Sequence, residues 1–266
     1  MKILTSLMKE KVSVTIEKDV LKNIDSLIDN LYIRNRSQAI EYVIKKVLGE
    51  SKTAVILAGG PEERLKISKD EYRLFVKVGG ESVMEKSIKN LRKNNFKEIY
   101  FIARHAILTK AFSFFGSGNA YGVKINYVEE KKSDGTFESL RLLKGKISSK
   151  FLVVYDDIIF DKIKIHELWD THSRSHAVTT LLLTTSDEPS KKGNVLLEGN
   201  KVLSFIQKPK ISDNYIVFSP IFVAEPELLE YQGASLEKDV FPELARNNLL
   251  SGHISPVKET HVHKKE

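Results

Sequence analysis

The feature that most constrains the fold is Thr53-Ala54-Val55-Ile56-Leu57-Ala58, an unbroken apolar run followed at once by Gly59-Gly60. A strand apolar on both faces must be covered on both, which places it inside a parallel sheet with helices above and below. The glycines then allow a turn that bulkier residues would obstruct. Further strands are expected at 97–102, 123–128 and 151–155, with a helix over 83–91, so the chain from 53 alternates strand and helix. Ligands of such sheets bind beyond the carboxyl ends of the strands. Gly59-Gly60 and Asp156-Asp157 both stand at strand ends, where they can meet.

Residues 1–52 follow another pattern. Lys11-Val12-Ser13-Val14-Thr15-Ile16-Glu17 alternates, with the apolar residues on one face and Lys11, Ser13 and Thr15 on the other. Val20, Leu21, Ile24, Leu27, Ile28 and Leu31 recur at helical spacing and predict a helix over 18–31. Asn35-Arg36-Ser37-Gln38 reads as a capping box opening a second helix that ends near Gly49. One short strand and two helices cannot close a core alone, so pairing of strands between two chains is expected. Order and spacing over 10–50 resemble a ribbon-helix-helix DNA-binding domain. That resemblance implies a two-stranded ribbon in the major groove, with Lys11, Ser13 and Thr15 at base edges. It also implies a DNA phosphate held by the backbone amides of Arg36, Ser37 and Gln38. Ser51-Lys52 is the expected linker.

Residues 53–266 resemble the sugar-1-phosphate nucleotidylyltransferases, on AVILAGGPEERL at 54–65, Val78-Gly79-Gly80, Asp134-Gly135-Thr136, Asp157, Gln207-Lys208-Pro209 and Ser235-Leu236-Glu237-Lys238-Asp239-Val240-Phe241-Pro242. The resemblance implies an α/β, Rossmann-like nucleotidyltransferase domain with a mixed, mainly parallel sheet. It assigns Ala58, Gly59, Gly60, Asp134, Gly135 and Thr136 to the nucleotide and Lys208 to the sugar. Arg64, Arg73 and Asp157 take the catalytic positions. Asp157, with His261, takes the magnesium positions. The chain departs from the pattern where the phosphates would lie. Pro61-Glu62-Glu63 fills the glycine-rich loop, Arg73 replaces a lysine, Asp156 replaces a glycine and His261 replaces an aspartate. Carboxylates beside a triphosphate repel it, and imidazole suits zinc or nickel better than magnesium.

The 266 residues contain no cysteine, which excludes disulfides, thiolate metal sites and a cysteine nucleophile. No apolar run reaches membrane-spanning length, and no leader is readable before Lys9-Glu10, so a cytoplasmic protein is expected. The Lys/Glu-rich, cysteine-free composition leans toward a thermophile. Net charge +7 suits a nucleic-acid partner. The combined expectation is a DNA-binding transcriptional regulator, a homodimer or higher oligomer formed through the N-terminal ribbon on a double-stranded operator. In it the second domain is catalytically degenerate and acts as a nucleotide- or nucleotide-sugar-sensing or oligomerisation module, with magnesium wherever nucleotide is bound. The alternative is an active magnesium-dependent enzyme with a DNA-binding or dimerising N-terminus.

Overall fold

The computed structural model describes residues 11–29, 33–48, 52–68, 71–132 and 135–262, except for the side chains at 45–48, 62 and 64. The chain divides into two compact units, 1–50 and 51–266. Leu31, Ser51, Asp134 and His263, together with the residues 1–10 in which a leader was sought, lie outside the described residues.

In the first unit, α1 (Lys18–Asp25) packs on α2 (Arg36–Leu48). The capping box is present. Asn35 Oδ1 accepts the Gln38 amide at 3.0 Å, and Gln38 Oε1 accepts the Arg34 amide at 2.7 Å, one residue further back than expected. Asn35→Ala is therefore expected to cost α2 about 1 kcal/mol, seen as earlier loss of helical circular dichroism on heating.

Two expectations need correction here. The first helix stops at Asp25 instead of continuing toward 31; the amides of Leu27 and Ile28 bond three residues back, to Ile24 and Asp25, both at 3.1 Å. The chain then turns, with Asp29 and Ile33 exchanging bonds of 3.1 and 2.9 Å. Residues 11–17 are coil and not a strand, with Val12 and Val14 exposed. A ribbon strand needs a neighbour for its backbone groups, and among the described residues of one chain none is at hand. Lys11, Ser13 and Thr15 lie exposed on this segment. Arg36 directs its guanidinium to Asp25, at 2.7 and 2.8 Å.

The second unit begins with β1 (Lys52–Ala58), α3 (Glu62–Leu65), β2 (Lys77–Val78), β3 (Glu81–Ser82), α4 (Val83–Lys93) and β4 (Phe96–Ala103). It continues through α5 (His105–Phe115), β5 (Lys124–Glu129), α6 (Thr136–Arg141), β6 (Phe151–Tyr155), β7 (Ile158–Ile159) and α7 (Ile165–Arg174). It closes with β8 (Thr179–Thr185), β9 (Gly193–Glu198), β10 (Lys201–Gln207), β11 (Ile216–Ala224), α8 (Phe241–Arg246), β12 (Leu250–Ile254) and β13 (Thr260–His261). Nine strands form one sheet in the order β5-β4-β1-β6-β11-β8-β12-β10-β9.

The sheet is mixed, as expected, but parallel pairing is confined to β5-β4-β1-β6 and the β8–β12 pair. Strand β11 runs antiparallel to both β6 and β8. Strands β9 and β10 are joined by Gly199-Asn200, with Gly199 at φ +59°, and so tight a hairpin forces antiparallel pairing.

Strand β1 justifies its apolar run. Ala54, Ile56 and Ala58 join Ile88, Leu91 and Leu168 on one face of the sheet. Val55 and Leu57 join Phe137, Leu140 and Phe222 on the other. With both faces sealed, the polar groups are left at the strand ends. Ala58, Ala103, Glu129 and Tyr155 end the four parallel strands, which places Gly59-Gly60, Arg104, Glu130 and Asp156-Asp157 along one rim. No helix among the described residues is long and apolar enough to cross a membrane.

Candidate functional site

Two clefts open along that rim. The larger, about 400 Å³, is lined by Gly59, Gly60, Pro61, Arg73, Gly135, Thr136, Ser139, Tyr155 and Asp156 together with Leu57 and Leu65. Its turn is built by close approach. A methyl group on Gly59 would lie 2.5 Å from Ser139 Oγ and 2.6 Å from Glu130 Oε1, and Gly60 sits at φ +107°. Glu130, buried at 1% exposure, fastens the turn: it accepts the Gly60 amide at 2.8 Å and the Ser139 hydroxyl. Arg104 braces the same carboxylate at 3.3 Å and donates to Gly60 O at 3.3 Å. Gly135 meets the carbonyl of Ala234 so closely that no side chain fits between them.

The smaller cleft, about 260 Å³, is lined by Asp157, Lys191, Lys192, Gln207, Lys208, Glu237 and His261, and it shares Tyr155 with the first. Tyr155 donates to Glu237 at 2.6 Å, and Thr136 and Ser235 donate to the same carboxylate at 2.7 and 2.9 Å. Burial, then the Glu237 charge, pushes the Tyr155 phenol well above its ordinary value, so it stays a donor. Gln207 Oε1 is buried without a hydrogen-bond partner. A buried acceptor left this way carries a desolvation cost that a donor entering the cleft would relieve.

A chain of alternating charges connects the clefts. Arg73 forks onto Asp156 at 2.9 and 2.6 Å, and its Nη1 lies 3.6 Å from Asp157. Asp157 lies 3.7 Å from His261 Nδ1, and His261 Nε2 lies 2.9 Å from Glu259. Glu259 continues to Lys192 at 3.3 Å and accepts from Ser219 at 2.7 Å. Burial pushes the Asp157 carboxyl up, but His261 and Arg73 outweigh it and hold the group below its ordinary value. Burial would lower His261, yet the two carboxylates raise it to about 9. Glu259 is held at about 2 against its burial, chiefly by His261 and Ser219.

His261 gives a pH prediction. Its folded value lies above the ordinary 6.5, so folding binds a proton between the two. The stability it contributes is complete below pH 6.5 and is lost as pH rises through about 9. Melting temperatures should show wild type above His261→Gln at pH 6, with the gap closing by pH 9 to 10.

Of the residues expected at the site, Gly59, Gly60, Arg73, Gly135 and Thr136 line the larger cleft, and Asp157, Lys208 and His261 the smaller. Ala58 is buried at the end of β1. Arg64 lies on α3, its side chain outside the described residues, as is all of Asp134. As a metal ligand His261 meets an obstacle: each ring nitrogen faces a carboxylate, which suits an imidazolium donor. Sequence reasoning missed Glu130 as the brace of the turn, Asp156 as the partner of Arg73, and Glu259 and Lys192. A polar residue directly beyond a parallel strand was the available signal for the first two.

The nucleotidyl transferase family model matches residues 53–253. A mannose-1-phosphate guanyltransferase of Yarrowia lipolytica is 25% identical over 205 residues, covering 74% of this chain and 56% of its own length. One of Aspergillus oryzae is 26% identical over 207 residues, covering 74% and 57%. The chain thus spans little more than half the length of these relatives. The inositol-1-phosphate CTP transferase of T. maritima superposes with a TM-score of 0.67 at 19% identity, over 81% of this chain and 91% of that one.

These findings overturn the expectation of a DNA-binding transcriptional regulator on an operator, with a degenerate, pseudoenzyme second domain. The relatives carry enzyme names, and none of these matches is to a DNA-binding protein. Of the substitutions that suggested degeneracy, Arg73 and Asp156 pair with each other, and His261 pairs with Asp157 and Glu259. By the match over residues 53–253 and the fold built around β1, this chain belongs to the nucleotidyl transferase family.

Proposed function

We propose that residues 53–266 catalyse nucleotidyl transfer to a sugar 1-phosphate. The observation that carries this reading is the pair of clefts meeting at Tyr155, one walled by a glycine turn and the other rich in cations. In the reaction an oxygen of the sugar phosphate attacks the α-phosphorus of a nucleoside triphosphate. The bond to the bridging oxygen breaks, and pyrophosphate leaves with the electron pair. The protein's part is placement and charge. The larger cleft takes the nucleotide against Gly59, Gly60, Gly135 and Thr136, and Arg73 faces its phosphates. Lys191, Lys192 and Lys208 take the sugar phosphate. The names of the relatives favour mannose 1-phosphate and a guanine nucleotide as first substrates to try.

Magnesium enters through Asp157. One protein carboxylate completed by substrate phosphates is an ordinary magnesium arrangement, and Asp157 offers a hard oxygen where the clefts adjoin. When bound, the ion would neutralise phosphate charge. Lys208→Ala is expected to raise KM for the sugar phosphate about tenfold with KM for the triphosphate within twofold. Equal rises in both would remove the sugar-phosphate assignment of the smaller cleft.

Residues 1–50 are, in this reading, a separate unit of ribbon-helix-helix type whose 11–17 segment pairs with that of a second copy. The exposed Val12 and Val14 and the small core of the unit, with Ile24 and Ala39 buried, support it. Light scattering should show the full chain at twice the mass of a 51–266 fragment per particle, beyond the difference in length. Equal association states would refute the pairing.

A further inference from the structure

Asp156 is a buried carboxylate in the wall of a cleft that, on the reading above, receives a polyanion. Such a group should repel the ligand unless it does something for binding. Its side chain is 2% exposed, and both oxygens are taken by Arg73, from Nε at 2.9 Å and Nη2 at 2.6 Å. Arg73 is the one cationic side chain among the described residues lining that cleft. A guanidinium carries five N–H donors in a rigid plane. The fork onto Asp156 uses one Nε and one Nη2 hydrogen, leaving both Nη1 hydrogens and the second on Nη2. The side chain is therefore immobilised on one edge, while the opposite edge keeps hydrogens not spent on Asp156 and makes, among the described residues, only an ion pair, Nη1 to Asp157 at 3.6 Å. An arginine otherwise loses much rotamer freedom when it grips a phosphate, and a fixed fork removes that cost before the ligand arrives.

We infer that Asp156 is a positioning residue: it locks Arg73 so that the edge of the guanidinium not forked onto Asp156 meets the phosphates of the bound nucleotide. This rests on the nucleotidyl-transfer reading. A lysine at position 73 could not be held by such a fork. The fork also explains why a carboxylate is tolerated in the cleft wall: both of its oxygens are engaged by Arg73 instead of facing the phosphates bare.

The test is calorimetric titration of the full chain with each of the four nucleoside triphosphates and with the matching nucleosides, without turnover. Asp156→Asn keeps the shape of the side chain but loses the charged fork. It is expected to weaken the triphosphate about tenfold while leaving the nucleoside unchanged. Arg73→Lys keeps the charge without the fork and should give the same split. Circular dichroism identifies any variant that has not folded, and either variant alone decides the matter. Triphosphate affinity equal to or tighter than wild type in a folded variant would overturn the assignment, because Asp156 would then compete with the phosphates. Absence of triphosphate binding by the wild type would instead overturn nucleotidyl transfer itself, and this inference with it.

Discussion

Asp157→Asn is expected to lower kcat for nucleotidyl transfer about a thousandfold, because it removes the carboxylate that would hold the phosphate-neutralising magnesium. A loss of this size is seen when one preorganised electrostatic contact to a transition state is removed. The role follows from its place in the charge chain. Asp157 lines the smaller cleft next to Tyr155, which both clefts share, and directly follows Asp156, which lines the larger. Its carboxyl is held ionised against burial by His261 and Arg73. Asparagine fills the same volume but supplies no charge, so the two cations around it lose their common anion. The fold should survive, because neither neighbour is left alone: Arg73 keeps Asp156 and His261 keeps Glu259. Steady-state kinetics with saturating substrates, beside a melting curve, separates the two effects. A kcat within tenfold of wild type would make Asp157 a structural partner of His261 and nothing more.

Gly59→Ala has the second large effect, and it should appear in both stability and binding. The new methyl would meet Ser139 Oγ at 2.5 Å and Glu130 Oε1 at 2.6 Å. Neither can withdraw freely. Glu130 is tied to Gly60, Ser139 and Arg104, and Ser139 is buried in α6. Overpacking of this kind costs about 1–3 kcal/mol. The same displacement moves the turn that walls the larger cleft, so nucleotide affinity should fall more than tenfold. Gly199→Ala provides the contrast: it meets nothing within 4 Å, and its strain at φ +59° lies at a hairpin tip away from the clefts. It should cost about 1 kcal/mol and leave nucleotide affinity unchanged. Equal nucleotide affinity in Gly59→Ala and wild type would show that the turn does not shape the binding surface.

What could be read from the sequence was local. The run at 53–58 required a strand covered on two faces, and β1 is that strand. Strand-end position pointed to Gly59-Gly60 and Asp157. The pairings that organise the clefts are long-range and leave no periodicity. Arg73 and Asp156 are 83 positions apart, and Gly60 and Glu130 are 70 apart. Read singly, Arg73, Asp156 and His261 look like damage to a phosphate site. Placed in space, Arg73 and Asp156 answer each other's charge, and His261 answers those of Asp157 and Glu259. At residues 11–17 alternation indicates a strand whose partner was expected from a second chain, and in the single chain the segment is coil.

The central claim, that this chain transfers nucleotidyl groups, is tested most directly by labelled pyrophosphate exchange into the four nucleoside triphosphates. The reaction would contain the full chain, magnesium and a pool of sugar 1-phosphates that includes mannose 1-phosphate. The account predicts exchange into at least one triphosphate, dependent on a sugar 1-phosphate and lost in Asp157→Asn. Protein shown to be folded that exchanges into none of the four would contradict it.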